Sequence, residues 1–99
     1  MRSTTKLLSA VALLALSLLV ACGNVGYGRQ AARAYEKLER ATRSGAAEWA
    51  PYEVTLAKAY LQKAAEEASE AEYEHAFDLA RDAETLADQA LQKAPRGSP

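Results

Sequence analysis

The chain has 99 residues, of which 12 are basic and 13 acidic for a net charge of −1, and 49% are hydrophobic. That length holds one small domain at most, and the near-neutral charge excludes nucleic-acid binding through a basic surface. The single cysteine, Cys22, excludes an intramolecular disulfide.

Residues 1–6 carry Arg2 and Lys6 and no acid, and Leu7 to Ala21 is uncharged and rich in Leu and Ala. The run is shorter than the roughly 20 apolar residues of a transmembrane helix. A basic start before a short apolar segment is the pattern of a secretory signal peptide, so residues 1–21 are set apart from the fold. Leu19-Val20-Ala21-Cys22 resembles the lipobox of bacterial lipoproteins, in which an aliphatic residue and two small ones precede an obligatory Cys. The resemblance implies cleavage before Cys22, a diacylglycerol on its thiol, and acylation of the new amino group, with palmitate a representative acyl chain. Cys22 is then the lipidation site and the first mature residue. Two or three acyl chains anchor a protein firmly where one binds marginally. By analogy with the sorting of enteric lipoproteins, Gly23 rather than Asp after the Cys implies the outer membrane; the expected orientation faces the periplasm, with the inner membrane and the cell surface as the alternatives.

Without Arg2 and Lys6 the chain has 10 basic and 13 acidic residues, a net of −3, with a basic front and an acidic back. Residues 22–28, with Gly23, Gly26 and Gly28, read as a lipidated flexible tether. Tyr27, Ala31, Ala34, Leu38 and Ala41 then recur at alternating spacings of four and three, the apolar stripe of a helix over about 27–43. Ser44-Gly45 supplies its stop.

Pro51 suits the first position of a second helix, over about 51–69. Glu53 stands where it can reach back to the Ala50 N–H, and Trp49 and Val54 occupy the two places of a hydrophobic staple. Its stripe is Val54, Ala57, Leu61, Ala64 and Ala68; Ala76, Ala80, Ala83, Ala87, Ala90 and Ala94 form that of a third helix, over about 73–94. The two stripes differ in phase by two residues, a rotation of about 200° on one continuous helix, so a turn is expected near Ser69 to Glu72.

Pairing the second and third stripes antiparallel matches Ala68 with Ala76, Leu61 with Ala83 and Val54 with Ala90 in one register. The first and second pair likewise, from Ala41 with Val54 to Tyr27 with Ala68. The expectation is an all-α fold, a small antiparallel three-helix bundle comprising a helical domain over 29–94. Residues 95–99, with two prolines, are expected to form a disordered tail.

Trp-Ala-Pro-Tyr-Glu at 49–53, Glu72-Tyr73 and the second alanine ladder resemble the domain of unknown function 4398, an uncharacterised family of exported bacterial helical domains. That family occurs in lipoproteins and beside peptidoglycan-binding domains. The resemblance spans about 45–94 and implies a helical hairpin at the cell envelope, with no chemistry attached. Tyr73 and Ala76 also resemble half of a tetratricopeptide unit, but Ala64 and Ala80 depart from that motif and no repeat follows.

Glu72 and His75 have the Glu-x-x-His spacing of di-iron bundles, which need a second copy and further carboxylates. No Ser, Thr or Cys assembles with His75 into a nucleophile set, and there is no Gly-rich phosphate loop. Glu66, Glu67, Glu70, Glu72 and Glu74 read as a solvated acidic tip. No enzyme, metal or cofactor is expected. Arg29, Arg33, Lys37 and Arg40 lie opposite the first apolar stripe and out of reach of the other helices, and form a candidate contact face for anionic lipid, peptidoglycan or an acidic partner. The expected function is a non-enzymatic, membrane-anchored adaptor or scaffold lipoprotein of the envelope. The alternative is a self-associating structural spacer, a homo-oligomer of the outer membrane and peptidoglycan layer.

Overall fold

The computed structural model describes residues 2–95, with the side chains of residue 2 and of residues 19–22 outside that description. Of the expected tail over 95–99, only Pro95 is described; residues 96–99 lie outside the described residues. The described chain is all-α, with four helices: α1 (Arg2–Arg43), α2 (Ala46–Trp49), α3 (Pro51–Ser69) and α4 (Tyr73–Lys93).

Helix α1 corrects the expected start of the first helix at Tyr27 and the flexible tether over 22–28, since one helix of 42 residues runs through both. Leu and Ala in its first half are strong helix formers, and no proline occurs before Pro51. Gly23, Gly26 and Gly28 each cost about 0.5–1 kcal/mol in a helix interior, which the surrounding turns absorb. Leu7, Leu8, Leu13, Leu14, Leu16 and Leu18 are 59–67% exposed, so these leucines are not packed into the core. The helix is long and apolar enough to cross a membrane, and a signal sequence passes the same test.

Gly45 ends α1 in the left-handed region at φ +83°, with its N–H donating to the Thr42 carbonyl. The one-turn helix α2 follows, an element the sequence reading lacked. Pro51 takes the first turn of α3, as its missing N–H allows. The expected cap does not form: the Ala50 N–H donates to the Ala46 carbonyl instead of to Glu53. Val54 is buried while Trp49 stays 53% exposed, so Trp49 is no closed clamp.

Helices α3 and α4 join through a two-bond C-cap in which the Glu72 N–H donates to Glu67 O and the Ala71 N–H to Ala68 O. Ala71 holds the left-handed position of this cap at φ 61° without being glycine. The core is the set of alanine stripes: Ala34, Ala41, Ala57, Ala64, Ala76, Ala80, Ala83, Ala87 and Ala90 are fully buried, with Leu38, Val54 and Leu61. Small side chains let helices approach at the near end of the usual 8–10 Å.

Helix α4 is the centre of the packing. It lies against α3 on one side and α1 on the other, whereas α1 and α3 touch much less. The expected close pairing of the first helix with the second is thus corrected: the chief partner of α1 is α4. Polar side-chain pairs fix the directions. His75–Glu67 and Lys93–Glu53 make α3 and α4 antiparallel and stand beside the predicted pairs Ala68–Ala76 and Val54–Ala90. Gln30–Glu84 and Lys37–Asp88 make α1 and α4 parallel.

Candidate functional site

The residues singled out for partner contact lie on the α1 turns that follow the apolar segment. Cys22 is in α1, and its side chain lies outside the described residues. Of the four basic residues, Lys37 does not face outward to a partner. Its Nζ lies 3.1 Å from Glu84 Oε2 and 3.0 Å from Asp88 Oδ2, both on α4. This corrects the expectation that the basic face cannot meet the other helices of its own chain. Lys37 sits at the flank of the stripe beside Leu38, and its long stem reaches over the seam to the α4 carboxylates. Hydrogen bonds to Asp88 and Glu84 raise its pKa.

Gln30, buried one turn past Tyr27, donates from Nε2 to Glu84 Oε1 at 2.9 Å. That bond, with the Lys37 ammonium, holds the Glu84 carboxyl below its ordinary pKa. Gln30, Lys37, Glu84 and Asp88 therefore form a polar latch along one flank of the core. The sequence signal for it was the placing of Gln30 and Lys37 seven residues apart beside one stripe, and of Glu84 and Asp88 four apart beside another.

Arg40 pairs within its own helix with Glu36 at 3.2 Å, as Arg43 does with Glu39 at 3.3 Å. Such exposed pairs contribute little and leave the guanidinium available to other anions. Arg29 and Arg33 are exposed, and Arg33 acts on α4 only through its charge, which helps to lower the Glu84 pKa. The outward cationic face thus reduces to Arg29 and Arg33, with Arg40 weakly held.

The acidic tip is partly committed. Glu67 Oε2 is 3.2 Å from His75 Nδ1 and its other oxygen is 3.3 Å from Lys63 Nζ, and these partners lower its pKa. His75 is engaged with Glu67 across the turn, and among the described residues no cluster of three or more His, Cys, Asp and Glu is placed to hold a metal. At the far end of α4, Lys93 pairs with the buried Glu53, whose pKa that bond lowers.

An apolar groove of about 270 Å³, which sequence reasoning missed, opens near the α1–α4 contact closest to Cys22. Gly23, Gly26 and Tyr27 of α1 and Tyr73, Glu74 and Phe77 of α4 line it. A Cβ on Gly23 stands 3.2 Å from the Tyr73 ring, while one on Gly26 meets nothing within 4 Å. Burial, and secondarily Tyr35, raises the Tyr27 phenol pKa. The signal was available as small residues facing an aromatic pair, but it needed the parallel α1–α4 register to be read.

Elsewhere Tyr35, Trp49 and Tyr52 expose 52–69% of their surface. Comparison with known proteins finds no matching family model, no matching curated protein and no matching solved structure.

Proposed function

We propose that the protein is a non-enzymatic lipoprotein of the bacterial cell envelope, anchored in the outer membrane through lipid on Cys22, whose helical unit serves as an adaptor or scaffold. The observation that carries this reading is the lipobox-like Leu19-Val20-Ala21-Cys22 at the end of an exposed apolar helix that leads directly into an alanine-packed unit. After removal of residues 1–21 the remaining chain is a small three-helix bundle, with α2 as a turn between its first and second long helices. The exposed pair Arg29 and Arg33 is the surface offered to an acidic partner or to peptidoglycan carboxylates.

Mass spectrometry of the protein extracted from membranes tests the anchor. A mature chain starting at Cys22 and carrying two or three acyl groups is expected; an unmodified Cys22 refutes it. Photo-crosslinking in intact cells from position 33, with exposed position 70 as the comparison, tests the adaptor role. A reproducible envelope protein attached at 33 and absent at 70 is the expected result.

The exposed aromatics Tyr35, Trp49 and Tyr52 favour a second reading, a spacer that self-associates. Sedimentation of the mature chain as a monomer at high concentration excludes it.

A further inference from the structure

The groove lined by Gly23, Gly26, Tyr27, Tyr73, Phe77 and the exposed Glu74 occupies a particular height on α1. The apolar run ends at Ala21, two residues before Gly23 and six before Tyr27, on a helix with no break between them. At 1.5 Å per residue, these two residues stand about 3 Å and about 9 Å beyond the apolar run. The headgroup layer on each side of a bilayer's hydrocarbon core is roughly 5–8 Å thick. With lipid on Cys22, the residue after Ala21, anchoring the chain and α1 standing upright on the bilayer, the groove begins inside that layer and ends at its outer edge.

Its chemistry suits the position. Tyr27, Tyr73 and Phe77 are half-buried, each leaving part of its ring open to the groove. Tyrosine is favoured at headgroup level, where the ring is apolar and the hydroxyl stays wet. Gly23 lets the Tyr73 ring lie directly on the helix backbone, which holds the turn after Cys22 against α4. Gly26 lines the groove too, and a Cβ there meets nothing within 4 Å.

We propose that this groove is a membrane seat, in which Tyr27, Tyr73 and Phe77 rest in the headgroup layer of the phospholipid bilayer that anchors the chain. The helical unit stands on the membrane rather than hanging from a tether. This rests on the reading above that the mature chain is anchored through Cys22.

The test reconstitutes the full lipidated protein, after its mass has been recorded, into phosphatidylethanolamine–phosphatidylglycerol vesicles whose acyl chains carry bromine just below the headgroup. Trp49 is the only tryptophan and lies in α2, at the opposite end of the unit, so wild type reports the far end. The double variant Trp49→Phe with Phe77→Trp moves the fluorophore into the groove. Quenching there of at least about twofold, with Trp49 of wild type unaffected, is expected for a ring at headgroup level.

Tyr27→Trp in the Trp49→Phe background gives the same readout if the first pair of changes fails to fold. Gly26→Glu places a charge in the groove and should abolish the quenching. Gly28→Glu adds the same charge to the same helix outside the groove and should leave it intact. An acylated protein whose groove tryptophan is quenched no more than Trp49, or is indifferent to Gly26→Glu, overturns the seat alone. A mass without acyl groups overturns the seat and the anchor together.

Discussion

Ala71 is the one described residue other than glycine with positive φ, and it holds the left-handed position of the cap that ends α3. For an L-residue with a Cβ, that conformation costs roughly 1–2 kcal/mol. Glycine removes the cost but gives the unfolded chain more freedom, a loss of about 0.5–1 kcal/mol. Ala71→Gly should therefore stabilise the fold by about 0.5–1 kcal/mol, a rise in melting temperature of roughly 2–8 °C for a domain of this size. Thermal melting of the mature chain by far-ultraviolet circular dichroism reads it. Glu70→Gly is the control: Glu70 has φ −95°, so glycine there relieves no backbone strain and should not raise the melting temperature as Ala71→Gly does. Equal destabilisation by both substitutions would refute the left-handed cap, because only Ala71 has a positive φ for glycine to relieve.

Ala80 is fully buried on the face of α4 that meets its neighbours, so Ala80→Glu buries a carboxylate without a partner and should cost several kcal/mol, enough to unfold the unit. Circular dichroism should show lost helicity, whereas Gln89→Glu on the exposed face should show none. The carboxyls of Glu53, Glu67 and Glu84 all have folded pKa values below their ordinary value of 4.5. Their contribution is fully present above that ordinary value and is lost as pH falls through the lower folded values, so the melting temperature should hold from neutral pH to about 5 and decline below about 4.5. Glu84→Gln should shrink that decline, and an acid limb unchanged from wild type would exclude Glu84 as a contributor. Lys37→Ala removes the ammonium shared by Glu84 and Asp88 and should lower the melting temperature more than Arg40→Ala, which breaks one exposed pair within a single helix.

The alanine stripes were legible because burial in a helical unit demands one face at 3.6-residue spacing, and a face made of alanine is as periodic as one made of leucine. The stop at Gly45 was legible from glycine's access to the left-handed region, and the turn near Ala71 from the change in stripe phase, which one continuous helix cannot make. What stayed hidden was competition between local and distant partners. Glu53 stands where it can cap α3, yet the Ala50 N–H is taken by α2, and the Lys93 ammonium offers a stronger, charge-assisted bond. Lys37 sits among three arginines that point outward, and only the parallel placing of α4 gives it carboxylates to reach. The glycines after Cys22 read as a tether because their spacing carries no information about Tyr73, whose ring packs on Gly23 from fifty residues away.

Alanine packing also has a weakness that the charged flanks repair. Alanine against alanine discriminates poorly between registers, because a slip of one helical turn sets one small side chain in place of another. The same slip separates Glu53 from Lys93, Glu67 from His75, and Glu84 from both Gln30 and Lys37. Since Glu53 and Gln30 are buried, each would lose its partner without gaining water, which penalises the slipped arrangement. Polar pairs on both flanks of α4 thus select the register, while the alanine seam supplies close approach. The same division explains what is left outward: with Lys37 and His75 engaged within the unit, the surface free to meet other molecules includes Arg29, Arg33 and the weakly held Arg40, the exposed aromatics, and the aromatic groove beside Cys22.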